Sequence, residues 1–91
     1  MVSQQQRRRL RAAIAAEVRH YQRCLVLLPG VSAEVVDAGL QLFQDEVALA
    51  RWLCAPARSL GEKTPLQIAQ TRRGAARVIQ LIRAIAHGVY L

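Results

Sequence analysis

Ninety-one residues give room for one domain with a modest core. The hydrophobic share of 53% is enough to fold, but it is rich in Ala and Leu, with Tyr21, Phe43, Trp52 and Tyr90 as the aromatic residues, which argues against a β-sandwich or barrel. The net charge of +7 comes from thirteen basic residues, all Arg except Lys63, a set suited to phosphate or carboxylate partners; charge alone leaves DNA, RNA and an acidic protein surface open.

The first predicted element is a long helix from about Gln4 to Leu28. Leu10, Ile14, Val18, Tyr21, Leu25 and Leu28 recur at intervals of three and four and form one apolar stripe. Arg8, Arg19 and Arg23 fall on the opposite side of the wheel. Spacing of this kind suits a homodimer seam. A stripe of this length more often packs on its own domain, and that is the expectation here. Pro29-Gly30 ends the helix.

Ser32 is placed to cap the next helix, about Ala33 to Phe43, which turns Val35, Val36, Leu40 and Phe43 inward. Asp45 caps a third helix whose apolar residues are Val47, Leu49, Ala50, Trp52 and Leu53, closed by Pro56. A loop from Ala55 to Lys63 follows. Thr64-Pro65 starts a short helix to about Gln70, because proline lacks an N–H where none is needed. Thr71 caps the last helix, about Arg72 to His87, which buries Ala75, Val78, Leu81, Ile82 and Ile85. Gly88 stops it and releases Val89-Tyr90-Leu91. The expected fold class is all-α, a compact bundle of about five helices with a long N-terminal helix.

Cys24 and Cys54 lack the company a disulfide framework or zinc site requires, and are read as reduced core thiols. The longest apolar run, Cys24 to Leu28, is far short of a membrane span. Arg7-Arg8-Arg9-Leu10 has the charge of a signal-peptide start, but Arg11, Glu17 and Arg19 interrupt the apolar stretch that should follow. A cytoplasmic protein without membrane contact is expected.

No catalytic constellation emerges. His20 and His87 are widely separated in sequence and are not read as metal ligands or catalytic residues. Ser32 and Ser59 have no base nearby in sequence. Glu34, Asp45, Glu46 and Glu62 are explained as helix-start or loop residues. The expectation is a protein that is not an enzyme and uses no metal or cofactor. Arg7, Arg8, Arg9 and Arg11 form a cationic cluster that suits phosphate contacts or a solvated N-terminus. Leu28 to Ser32 is a weak match to a helix-turn-helix, because the helix after it lacks side chains for base edges before Gln41 and Gln44.

A more specific signal lies in the second half. Phe43-Gln44-Asp45-Glu46 leads into Ala50-Arg51-Trp52-Leu53, followed by Pro56, Leu60-Gly61 and Thr64-Pro65-Leu66. Thr71, Gly74, Val78, Ile82 and Ile85 come next, and His87-Gly88-Val89-Tyr90 ends the run. In this order and spacing, the chain from about Val35 to Leu91 resembles the toxin-binding domain of the Xre/MbcA/ParS antitoxin family. The organisation read from it is residues 1–34 as a basic helix and turn, with a reduced or absent helix-turn-helix, and residues 35–91 as the toxin-binding helical domain.

The resemblance implies an antitoxin of a type II toxin–antitoxin system. Its partner would be a cognate RES-domain toxin that degrades NAD or uses it for ADP-ribosylation, with the antitoxin's C-terminal region blocking the NAD site. Carried onto this sequence, the blocking region is Arg83 to Leu91. The toxin-binding residues are expected to be Arg77, Arg83, His87, Gly88, Val89, Tyr90 and Leu91, with Tyr90 as aromatic anchor and the arginines facing acidic groups. Val89 and Tyr90 have an alternative use as cover for the domain's own core. Trp52 is expected in the core, Thr64-Pro65-Leu66 as a helix start, and Gly74 as a site of close helix packing. The alternative function is a DNA-binding autorepressor acting through Arg7, Arg8, Arg9 and Arg11. The N-terminal helix is expected to brace the bundle or to dimerise.

Overall fold

The computed structural model describes residues 3–88. It is all-helical: α1 (Gln4–Leu27), α2 (Ala33–Phe43), α3 (Glu46–Leu53), α4 (Pro65–Ile68) and α5 (Arg72–Ala86), with 3₁₀ turns at Leu28–Gly30 and Arg58–Leu60. Among the described residues the only β pairing is one antiparallel bridge between Ala57 and Lys63, inside the loop between α3 and α4.

Each helix begins where a side chain can take up free backbone N–H groups. Ser32 accepts from the Val35 N–H, Asp45 from Val47 and Ala48, and Thr71 from Gly74. Thr64 and Gln67 form a reciprocal capping box at α4. Ser3 and Gln6 do the same at α1, a signal the sequence contains as Ser-x-x-Gln. Gly88 closes α5 in the left-handed region, φ +79°, which suits a residue without Cβ.

The core is built from Val35, Leu49, Leu53, Leu66, Ala69, Val78 and Ile82, with Cys24 as the contribution of α1. Trp52 stands at its edge, tilted against Phe43 with ring centres 5.7 Å apart. Helices α2 and α5 pack along each other most extensively. Gly74 permits the approach of α5 to α4, since a Cβ there would overlap the Ile68 carbonyl.

Two expectations about burial are corrected. Val47 and Ala50 of α3 are exposed, because α3 is only eight residues long and its inward side is taken up by Leu49, Leu53 and half-buried Trp52. The larger correction concerns α1. Its stripe does not pack on the domain: Leu10 is 57% exposed, Ile14 62% and Leu25 68%. Only the last two turns dock, through buried Cys24 and half-buried His20 and Leu27. The preceding four turns project away, and the molecule measures 47 × 27 × 25 Å.

Polar links fasten the docked end. The His20 Nε2 lies 2.6 Å from the Cys54 carbonyl, which can only accept, so Nε2 carries the proton. The Gln70 amide donates to the Leu27 carbonyl at the end of α1. Among the described residues no single helix is long and apolar enough to cross a membrane; α1 and its terminal turn reach that composition only together with α2, across a 119° bend.

Candidate functional site

Three of the seven expected binding residues lie at the C-terminal end of α5. Arg83, His87 and Gly88 are all exposed there. The His87 N–H closes the helix on the Arg83 and Ala84 carbonyls, and the Gly88 N–H returns to the Ile85 carbonyl. These bonds take up the Arg83, Ala84 and Ile85 carbonyls of the last turn, while the Arg83 and His87 side chains are exposed. Arg83 also lines an open groove of about 640 Å³ between α5 and the start of α2, shared with Ser32, Glu34, Arg72 and Ile79. Val89, Tyr90 and Leu91 lie outside the described residues.

Arg77 is not part of this grouping. Its guanidinium donates to the Ser59 carbonyl, 3.1 Å away, and so supports the loop before α4. Six residues of helix turn Arg77 and Arg83 roughly 120° apart around α5. A single flat partner surface meets one of them more readily than both.

Arg7, Arg8, Arg9 and Arg11 sit exposed on the free half of α1. Arg7, Arg8 and Arg11 share one face with Gln4, Ala12 and Ala15. No acidic residue occupies the first turn, so four cations stand at the positive end of the helix dipole, an arrangement that favours an anionic partner. The helix that follows the turn, α2, exposes Glu34 and Asp37. Those carboxylates would repel DNA phosphates where a recognition helix needs to approach.

Among the described residues, no group of three or more His, Cys, Asp or Glu is placed to hold a metal ion. Both cysteines are free thiols. Although thirty residues separate them in sequence, their side chains meet between α1 and the end of α3. There Cys24 Sγ is also 3.8 Å from His20 Nε2. Burial pushes the Cys54 thiol from its ordinary 9.0 up to about 11, with the neighbouring Cys24 adding to the shift. A thiol held protonated in this way is a poor nucleophile.

One surface escaped sequence reasoning. The C-terminal half of α1 and the facing sides of α2 and α3 enclose an apolar groove of about 510 Å³, with Leu25, Leu28, Leu40, Leu49 and Leu53 on its walls and Glu46 at its rim. The stripe on α1 was legible, but its opposite wall is assembled from two other helices. No linear spacing reveals it.

The fold and these surfaces define a small helical binding module whose free helix ends and grooves face outward. Residues 38–88 match the family described as the antitoxin Xre/MbcA/ParS C-terminal toxin-binding domain, and the chain belongs to that family. A protein named Antitoxin Xre from Yersinia enterocolitica is 35% identical over 57 residues, covering 62% of this chain and 38% of the relative. An Antitoxin Xre from Photorhabdus laumondii is 39% identical over 56 residues, covering 60% and 38%. This chain thus matches well under half the length of these curated relatives. No solved structure matches it.

Proposed function

We propose that this chain acts as the antitoxin of a toxin–antitoxin pair, a binding protein and not an enzyme, and that its partner is a RES-domain toxin that consumes NAD or transfers ADP-ribose. The toxin would be covered by residues 35–91, with the end of α5 lodged at the NAD-binding cleft, while residues 1–34 form an appended helix and turn. The observation that carries the reading is the family match over residues 38–88, which runs through the last turn of α5. Support comes from Arg83 in the last turn of α5 and His87 just after it, both exposed. An exposed guanidinium at a rigid helix end suits acidic groups on the toxin around the mouth of its cleft.

Co-expression with the product of the adjacent gene tests the reading: full-length chain should relieve growth arrest and suppress NAD loss. Deleting Val89 to Leu91 should weaken the relief. Equal protection by the truncated chain would reject the plugging mechanism while leaving binding in place.

A second reading, DNA binding through Arg7, Arg8, Arg9 and Arg11, draws on the shared face of Arg7, Arg8 and Arg11. It requires operator binding with steep salt dependence, lost when these arginines are replaced by Ala. The acidic exposed face of α2 weighs against it.

A further inference from the structure

We infer that Cys24 and Cys54 form a redox-active dithiol, which hydrogen peroxide converts to a disulfide that staples α1 to the end of α3. The inference is independent of toxin binding. It starts from placement. Cys24 lies buried in the last turn of α1, and half-buried Cys54 is the C-cap residue of α3. The two belong to different helices, yet Cys24 is the thiol against which Cys54 stands. Both also line the wall of the 510 Å³ groove, which gives a small oxidant a route to them.

His20 holds both partners in place. Its Nε2–H donates to the Cys54 carbonyl at 2.6 Å and lies 3.8 Å from Cys24 Sγ. One ring thus fixes the backbone of one cysteine beside the sulfur of the other. Disulfides form only where the two side chains already approach each other. Because Cys54 ends α3, its carbonyl lies beyond the helical ladder, and its side chain adjusts there without breaking a turn of helix. Thiol pairs of this kind, reduced at rest, serve as transient redox elements and not as permanent cross-links.

Two steps complete the reaction. Cys54, the more accessible thiol, gives its proton to solvent, and its sulfur attacks one peroxide oxygen. The O–O bond breaks, hydroxide leaves and takes up a proton as water, and Cys54 becomes a sulfenic acid. Cys24 then loses its proton and attacks that sulfur. The S–O bond breaks, the S–S bond forms and a second water leaves, so two electrons pass from the thiol pair to one peroxide. Burial holds the Cys54 proton in place up to about 11, which makes the first step slow; the pair answers to sustained peroxide and not to trace oxidant. The consequence is mechanical. Only the last two turns of α1 dock, fastened by the His20 and Gln70 hydrogen bonds. The disulfide makes that docking covalent and closes a loop through α2 and α3, which restricts the unfolded chain.

The test treats the reduced full chain with hydrogen peroxide, removes the excess, and then counts free thiols, maps peptides by mass spectrometry and follows thermal melting. Wild type should lose both thiols together and yield a peptide in which Cys24 and Cys54 of one chain are linked. It should also melt at least about 5 °C higher, and dithiothreitol should restore both thiols and the original melting temperature. Cys54→Ala, treated alike, should keep its Cys24 thiol and its melting temperature. A Cys54 sulfinic acid beside an intact Cys24 thiol would overturn the proposal, as would links formed only between chains. An internal link that lowers the melting temperature would show that the bond forms by distorting the fold, and would reject the staple. The same peroxide-dependent rise in Cys54→Ala would assign the stabilisation to another group and reject it equally.

Discussion

The side-chain amide of Gln70 donates to the carbonyl of Leu27, 2.8 Å away, joining the end of α1 to the turn between α4 and α5 across 43 residues of sequence. The same nitrogen also donates to the Leu66 carbonyl at 2.9 Å. Both acceptors stand at helix ends, where carbonyls have no partner within the helix. The Gln70 carbonyl oxygen meanwhile rests against Gly30, leaving no room there for a Cβ.

Replacing Gln70 by Ala therefore strands two carbonyls and should cost about 1–3 kcal/mol, measurable by urea denaturation. Gly30→Ala should be destabilising in the wild-type background and close to neutral once Gln70 is already Ala. Simple additivity of the two would show that they are not coupled through this contact.

Gly74 offers a test with a reversed sign. A Gly to Ala change in an open helix stabilises it by about 1 kcal/mol. Here the new methyl would meet the Ile68 carbonyl, so Gly74→Ala should lower stability by roughly 2–4 kcal/mol through backbone displacement. A raised melting temperature would contradict the close approach of α4 and α5.

Cys54 sets a pH window. Its thiol is held protonated in the folded chain, up to about 11 against an ordinary 9.0, mainly by burial. The unfolded chain loses that proton first, so the contribution is complete below pH 9 and is lost as pH rises toward 11. Wild type should lose stability across this interval more steeply than Cys54→Ala, as followed by thermal melts under reducing conditions. Parallel slopes would mean that the thiol ionises freely in the native state.

Arg77 and Arg83 should separate stability from binding. Arg77→Ala removes the hydrogen bond to the Ser59 carbonyl and should cost about 0.5–1.5 kcal/mol. Arg83→Glu touches an exposed side chain and should leave the melting temperature within a degree or two while weakening toxin binding by tenfold or more, read by calorimetry. An unaffected affinity would move the interface away from the end of α5.

Much of the fold is legible in the linear chain because its cues are local. Ser32, Asp45, Thr64 and Thr71 each cap within three residues of themselves, and the apolar positions of α5 repeat with the helical period. Helix order, helix limits to within about two residues and most of the core follow from such short-range rules. The resemblance of the second half to a toxin-binding domain likewise needs only order and spacing.

Whether an apolar stripe is a core or an interface is a different kind of question. Periodicity states that Leu10, Ile14 and Val18 share a face of α1, and says nothing about what lies opposite. Only the folded chain decides that α1 leaves the domain after two docked turns, that Cys24 meets Cys54, and that Leu40 and Leu49 wall a groove beside Leu25. Those outcomes depend on the angles at which helices cross, and the angles come from contacts between residues far apart in sequence, such as Gln70 with Leu27 and His20 with the Cys54 carbonyl.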